Sequence, residues 1–430
     1  VPSFWKFSYR FLILPAIWGG FHVLGLFNHK VRRGLRGRKG LASRARAARL
    51  QLQDKPLILF HCASMGELEA LHPLASKLPA RRVALALVYF SPSAESAAKK
   101  ADCFAYVDYS PTDTRRSVRR FLASLKPQAL AITKHDVWPN LVWECRQAGI
   151  PVFLVNASFP PNSRRLWPIV RSFHKAIISS THMVLTVSRE DAERARRLVG
   201  DSVPIHVVGD SRYDRMIDRI SRAASEISLP SEPFAGRFVL IAGSTHAADE
   251  DILLPAIAAI ARRHPDFFCL LVPHEPVPSA LERIQASSER LNLGVRLLSQ
   301  WHGQDLGEVL CVDRVGILAT LYDRGHLAYV GGGFDRGVHS VLEPMAHGLP
   351  VLAGPNIDVS HEARMAKLQS ILEVVTETIE VENWIEKFMS DDSARHRVGE
   401  EARVFVEERL GASAKIADFL QRELNLDDQV

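Results

Sequence analysis

The chain reads as an α/β protein of two facing, doubly wound, Rossmann-like domains with an N-terminal membrane-anchoring helical segment. Two observations carry that reading. Runs that are apolar throughout, such as PLILFHCA, RVALALVYF and FVLIAGS, alternate with amphipathic stretches, the pattern of a mostly parallel sheet covered on both faces. The 430 residues are also too many for one core and suit two domains plus an appendage.

Residues 1–50 are the anchor and basic segment. Phe11 to Phe27 (FLILPAIWGGFHVLGLF) is apolar but interrupted by Pro15, Gly19, Gly20 and His22, and is marginal against the roughly 20 residues that span a bilayer. Nine Lys and Arg residues follow between Lys30 and Arg49 without an acid among them. A cluster after the apolar run suits anionic headgroups and the cytoplasmic side, whereas a signal peptide carries its charges first. The first 55 residues hold 12 Lys or Arg and one acid, leaving 42 basic against 47 acidic residues in the rest. The body is therefore mildly acidic, which argues against a nucleic-acid partner. The five cysteines are scattered without a CxxC pair, as expected of buried, reduced thiols, and they indicate no zinc site.

Residues 51–217 form the first domain. PLILFHCA, RVALALVYF, QALAIT, IPVFLVNA, HMVLTV and IHVVG read as its strands, with helices at SMGELEALHPLASKL, around Asn140–Ala148 and at Arg189–Leu198. Residues 218–235 hold prolines and read as a linker containing a short helix. Residues 236–412 form the second domain, with strands at FVLIAGS, FFCLLVP, GVRLLS, EVLCV, HLAYVGG and PVLAG and a helix from Ile252 to His264. Residues 413–430 belong to a final helix expected to cross back. Two such sheets facing each other leave a ligand cleft at the carboxyl ends of their strands.

Leu327 to Pro355 is the most informative stretch. Ala328–Val330 reads as a strand, Gly331–Gly333 as a tight turn, Ser340–His347 as a helix and Leu349–Ala353 as the next strand. Glycines and a helix start suit an anion. Glu343, in the first turn, suits a hydroxyl-bearing neighbour such as a ribose, or simply the helix dipole. In HCASMGELE, Ser64 and Glu67 match a capping box, and spacing alone favours that role for Glu67 over a general base at the cleft. Lys134, His135 and Asp136 end a buried strand and are expected to face the cleft, with no role assigned to His135. Arg212 suits a phosphate or a developing negative charge, or an ordinary pair with Asp210 or Asp214. Ser244 and Thr245 could bond phosphate or cap the next helix. Asp249, Glu250 and Asp251 suit that helix's dipole better than a metal.

Together HCASMGELEA, FSPSAES, KHDVWPN, GDSRYD, GSTHAADED, VPHEP and YVGGGFDRGVHSVLEPMAHGLPVLAGP resemble, in order, the 3-deoxy-D-manno-octulosonic acid (Kdo) transferases of lipopolysaccharide synthesis, which have the GT-B glycosyltransferase fold. The resemblance covers nearly the whole chain. It implies transfer of Kdo from CMP-Kdo to a lipid A precursor, with inversion, at the cytoplasmic face of the inner membrane. It implies Glu67 as general base, Asp136 as the second acid of a motif whose first acid is replaced by Lys134, and Arg212 as a stabiliser of transition-state charge. Pro273, His274, Val315, Gly316, Ile317, Ser340, Val341, Leu342 and Glu343 match segments that hold CMP. No cofactor or metal is implied.

His274 stands where many members have arginine, Ile317 where many have glutamate, and Ser340-Val341 where Asn-Pro is frequent. Another membrane-associated GT-B enzyme with a different donor or acceptor, or an inactive homologue, is the alternative. A dinucleotide-dependent dehydrogenase is disfavoured because no GxGxxG follows the first strand.

Overall fold

The computed structural model describes residues 2–53, 55–134, 137–160, 167–226, 234–303 and 306–426. The chain divides into two compact units. One runs up to Arg215 and resumes at Leu410; the other is Met216–Arg409.

The first unit holds seven parallel strands: β1 (Leu57–Cys62), β2 (Ala84–Tyr89), β3 (Tyr106–Tyr109), β4 (Ala129–Thr133), β5 (Val152–Ala157), β6 (Met183–Thr186) and β7 (Ile205–Val207). Their order is β3-β2-β1-β4-β5-β6-β7. Every residue of β1, β2, β4 and β5 is buried, as a central strand covered by helices on both faces requires. The Ala412–Glu423 helix belongs to this unit, where Ile416, Ala417 and Leu420 pack with Leu71 and Leu74 of the Met65–Lys77 helix.

The second unit repeats the plan with β8 (Phe238–Thr245), β9 (Phe267–Pro273), β10 (Val295–Leu297), β11 (Val309–Cys311), β12 (Leu327–Val330), β13 (Val351–Ala353) and β14 (Leu372–Val374). Their order is β10-β11-β9-β8-β12-β13-β14. Strand order reverses between β1 and β4 in one sheet and between β8 and β12 in the other. Those reversals are the positions where doubly wound sheets open a crevice at the strands' carboxyl ends.

Two edge strands, β3 and β14, go beyond the sequence reading. β3 is YVDY, whose buried Asp108 conceals the apolar pattern; its carboxylate accepts from Arg44 at 2.6 and 2.9 Å and from the Tyr106 hydroxyl at 3.0 Å. β14 has only three residues. The segment read as a linker is helical in its described part, because Tyr213, Met216, Ile217 and Ile220 recur at helical spacing in the Ser211–Glu226 helix.

The first 50 residues are not a separate appendage. The chain is helical from Pro2 to Phe27, with a wider π turn at Tyr9–Ile13. That turn falls just before Pro15, whose missing N–H and bulky ring disfavour a regular helix. One side of this segment is fastened to the first unit. The Tyr9 hydroxyl donates to Asp113 at 2.8 Å, and Arg10 donates to Asn140 at 2.7 Å and Glu144 at 2.6 Å. Leu14 and Trp18 are buried, while Phe4, Phe7, Phe11, Leu12, Leu24, Leu26 and Phe27 are all more than half exposed. Several basic residues are likewise committed to the fold: Arg33 pairs with Glu95 at 2.9 Å, and Arg38 lies beneath the Phe90, Trp18 and Tyr109 rings.

His61, inside β1, is fully buried, and neither ring nitrogen has a hydrogen-bond partner among the described residues. Burial, with Arg38 nearby, pushes its pKa down from 6.5 to about 4. The unfolded chain therefore binds the extra proton first, and stability present in full above pH 6.5 is lost as pH falls towards 4. At about 1.4 kcal/mol per pH unit, His61 accounts for a loss on the order of 3 kcal/mol. Urea unfolding at pH 7.0, 5.5 and 4.5 should show a smaller acid loss in His61→Leu than in the parent chain.

Candidate functional site

In the first unit the candidate residues follow β1, β4 and β7. The turn after β1 leads into the Met65–Lys77 helix, with Ser64 in extended conformation at its N-cap. The Ser64 side chain makes no cap bond. Glu67, only 7% exposed, instead reaches back one residue beyond the cap and accepts from the Ala63 N–H at 2.5 Å. The capping box expected from spacing is therefore not formed, because neither of its two bonds is made, and the Glu67 carboxylate stays at the carboxyl end of β1.

After β4, Lys134 takes a left-handed backbone (φ 58°) and its N–H bonds the Val155 carbonyl at 2.8 Å. Asp136 and His135 lie outside the described residues. Trp138 stacks on Phe90 at 4.6 Å, and Pro139 opens the next helix.

Arg212 begins the Ser211–Glu226 helix and folds back onto Asp210, which accepts its backbone N–H at 2.9 Å and its side chain at 2.8 and 2.6 Å. That is the ordinary ion pair anticipated as one of its two roles; the guanidinium stays about half exposed (47%). Neighbouring Ser211 is fully buried. Its hydroxyl donates to the Ala70 carbonyl at 2.6 Å and accepts from Asn156 at 2.7 Å. Ala70 lies one turn beyond Glu67, so this bond sets the start of Arg212's helix against the helix that carries Glu67.

In the second unit the turns after β8, β9 and β12 converge. Asp249, fully buried, accepts from the His246 N–H at 2.9 Å, the Gly332 N–H at 2.8 Å and the Tyr329 hydroxyl at 2.6 Å. It therefore joins the start of the Ala247–Arg263 helix to the glycine turn after β12. Gly331 lies so close to β8 that a Cβ there would sit 2.2 Å from the Ser244 carbonyl oxygen, and Gly332 has φ +88°. Glu250 is also buried and pairs with Arg283 at 2.6 Å. Two of the three acids expected merely to suit a helix dipole thus hold the site together.

Glu343 occupies the first turn of the Leu342–Ala346 helix. Burial raises its pKa, against the opposing pull of Arg219 at 3.7 Å. Ser340 is exposed, whereas Val341 (1% exposed) and Ile317 (3% exposed) are core side chains, so backbone is what those two positions offer a ligand. Val315 is exposed and Gly316 has φ +90°. Pro273 ends β9, and the next residue, His274, is exposed, with its N–H on the Thr245 carbonyl at 2.9 Å.

Sequence reasoning missed His246 and His339. Their Nε2 atoms are 2.9 Å apart, and the His274 ring lies 4.9 Å from one and 4.3 Å from the other. His339 is held below its ordinary pKa by burial and then by the other two imidazoles. Both residues lie within quoted motifs, GSTHAADED and FDRGVHS, but 93 positions apart, and only strand order brings them together.

A family model described as 3-deoxy-D-manno-octulosonic-acid transferase matches residues 34–215. The chain is 25% identical to the 3-deoxy-D-manno-octulosonic acid transferase of Haemophilus influenzae, over 97% of this chain and 98% of that one. It is 28% identical to the enzyme of the same name from Aquifex aeolicus, over 70% and 76%. The chain is thus similar to the Kdo transferases over most of its length. Among solved structures, a calicheamicin glycosyltransferase matches with a TM-score of 0.52 at 13% identity, over 87% of this chain and 99% of that one, in keeping with a GT-B fold. The family match ends at Arg215, so it includes Glu67 and Arg212 but not the histidine cluster.

Asp249→Asn replaces an accepting oxygen by an amide that faces donors, and should cost about 3 kcal/mol in urea unfolding. Gly331→Ala should cost a similar ~3 kcal/mol, because the clash is with backbone. Asp251→Asn, at an exposed position, should stay within about 0.5 kcal/mol of the parent.

Proposed function

We propose that this chain is an inverting glycosyltransferase that moves Kdo from CMP-Kdo to a hydroxyl of a lipid A precursor, lipid IVA, in lipopolysaccharide core biosynthesis. The observation that carries this reading is Glu67, a buried carboxylate at the carboxyl end of β1, beside the strand-order reversal of a domain matched by the Kdo transferase model. Glu67 takes the proton of the acceptor hydroxyl as its oxygen bonds the anomeric carbon. The bond from that carbon to the phosphate oxygen breaks, and its electron pair leaves with CMP. Asp136 acts as the second acid, and Arg212 stabilises the developing negative charge, a role its exposed, Asp210-oriented guanidinium suits.

CMP is held by Pro273, His274, the Val315–Ile317 loop and Ser340–Glu343, with the N-terminus of the 17-residue Ala247–Arg263 helix favouring its phosphate. Glu343 accepts from a ribose hydroxyl.

The chain works at the cytoplasmic face of the inner membrane. Phe4–Phe27 is long and apolar enough to cross a bilayer, yet Tyr9 and Arg10 are tied to Asp113 and Glu144. Spanning would strip those bonds, so the helix lies in the interface with its exposed phenylalanines among the acyl chains. Arg32 and Arg36 line one cavity with His29 and with the Arg33–Glu95 pair, and these two arginines suit anionic headgroups.

Incubation with CMP-Kdo and tetraacylated lipid A precursor should give a Kdo-bearing product by mass spectrometry; its absence from folded, membrane-bound protein would end the proposal. Glu67→Gln keeps an acceptor for the Ala63 N–H, so thermal stability and CMP binding should persist while turnover falls roughly 10²–10⁴-fold. Calorimetric titration should favour CMP over UDP. Phe7→Ser with Phe11→Ser should weaken binding to phosphatidylglycerol vesicles and leave the melting temperature nearly unchanged.

A further inference from the structure

We propose that His246, His274 and His339 form a binding site for one divalent transition-metal ion of the zinc class. The three residues offer ligand nitrogens that all lie within 4.8 Å of one another. The His246 and His339 rings are inclined by only 7° with centroids 5.2 Å apart, which, with nitrogens at 2.9 Å, describes two imidazoles edge to edge in nearly one plane. His274 lies across both, inclined by 20° to one and 18° to the other. In such a pair one Nε2–H faces the other ring's lone pair, and an ion that takes both Nε2 atoms moves that proton to Nδ1 of the donor ring. With Zn–N bonds of about 2.0–2.1 Å, tetrahedral ligand nitrogens stand roughly 3.3 Å apart. Side-chain rotations of these three rings cover the difference.

The backbone beneath them is fixed. His246 caps a long helix through Asp249, His274 donates its N–H to Thr245, and the His339 N–H bonds the Gly331 carbonyl at 3.0 Å. These anchors sit at the carboxyl ends of β8, β9 and β12, three strands adjacent in the sheet. Imidazole donors select zinc, cobalt, nickel or copper over magnesium and calcium, which need oxygen ligands. Both Asp249 oxygens are committed to backbone N–H groups and a tyrosine, which leaves them out of the ligand set. Asp335, 3.9 Å from Nδ1 of His246 and about half exposed, lies at the edge of the cluster. Three protein ligands leave a coordination position open to water or to an anionic oxygen. The link from that open position to the phosphate of a nucleotide sugar rests on the proposed function; the binding of the ion does not.

The test is titration of the chelator-treated full chain with ZnCl2 against a competing chromophoric chelator, and with CoCl2 followed by its visible d–d bands. The expected result is one equivalent bound and the intense bands of four- or five-coordinate cobalt. His246→Ala and His339→Ala should each weaken binding by more than the roughly 10–100-fold that loss of an outer-shell partner costs, with unchanged circular dichroism. His326→Ala, outside the cluster, should bind as the parent does. His339→Gln serves where the alanine variant fails to fold. No saturable single-equivalent uptake, or undiminished affinity in the His246 and His339 variants, overturns the site. Metal uptake without Kdo transfer sinks the proposed function alone, and Kdo transfer without metal uptake sinks this proposal alone.

Discussion

The buried carboxylate of Asp249 is the constraint on which the second domain's functional edge depends. A charge removed from water is tolerable only if every strong acceptor site is used, and here two backbone N–H groups and a tyrosine hydroxyl use them. The three donors come from a helix start, a strand and a glycine turn that are distant in sequence. Their shared acceptor fixes β8's exit against β12's exit. Gly331 is glycine for the same reason: the two exits run too close for a Cβ.

The first domain solves the corresponding problem differently. Glu67 gives one oxygen to the Ala63 N–H, and Ser211 ties the following layer to the Ala70 carbonyl. The carboxylate that orients its own turn is the one proposed as general base, so a single bond to Ala63 would fix its position. A strong hydrogen bond to a backbone donor holds a base in place without adding a competing charge.

The two sheets were legible because their central strands are buried on both faces and so carry uninterrupted apolar runs. Edge strands were not: β3 carries Asp108 and two tyrosines, and β14 is three residues long. The capping signal around Ser64 and Glu67 marked the helix start but not its bonds: Ser64 makes no cap bond, and the glutamate reaches past the cap to Ala63. Arg212 and Glu343 were singled out from their place after strands, while Ile317 and Val341 looked equivalent to their neighbours until burial separated them. The histidine cluster was invisible for a topological reason. His246, His274 and His339 become neighbours only when β12 inserts beside β8, and no local period encodes that.

The fastening of the first helix along one flank also governs how the molecule behaves once extracted. Tyr9, Leu14 and Trp18 are already covered by protein, so only the opposite flank, from Phe4 to Phe27, has oily surface to shield. On the proposed interfacial placement, a detergent would gather as a one-sided cap instead of a surrounding belt, and the purified particle would carry less bound amphiphile than a helix encircled on all sides demands.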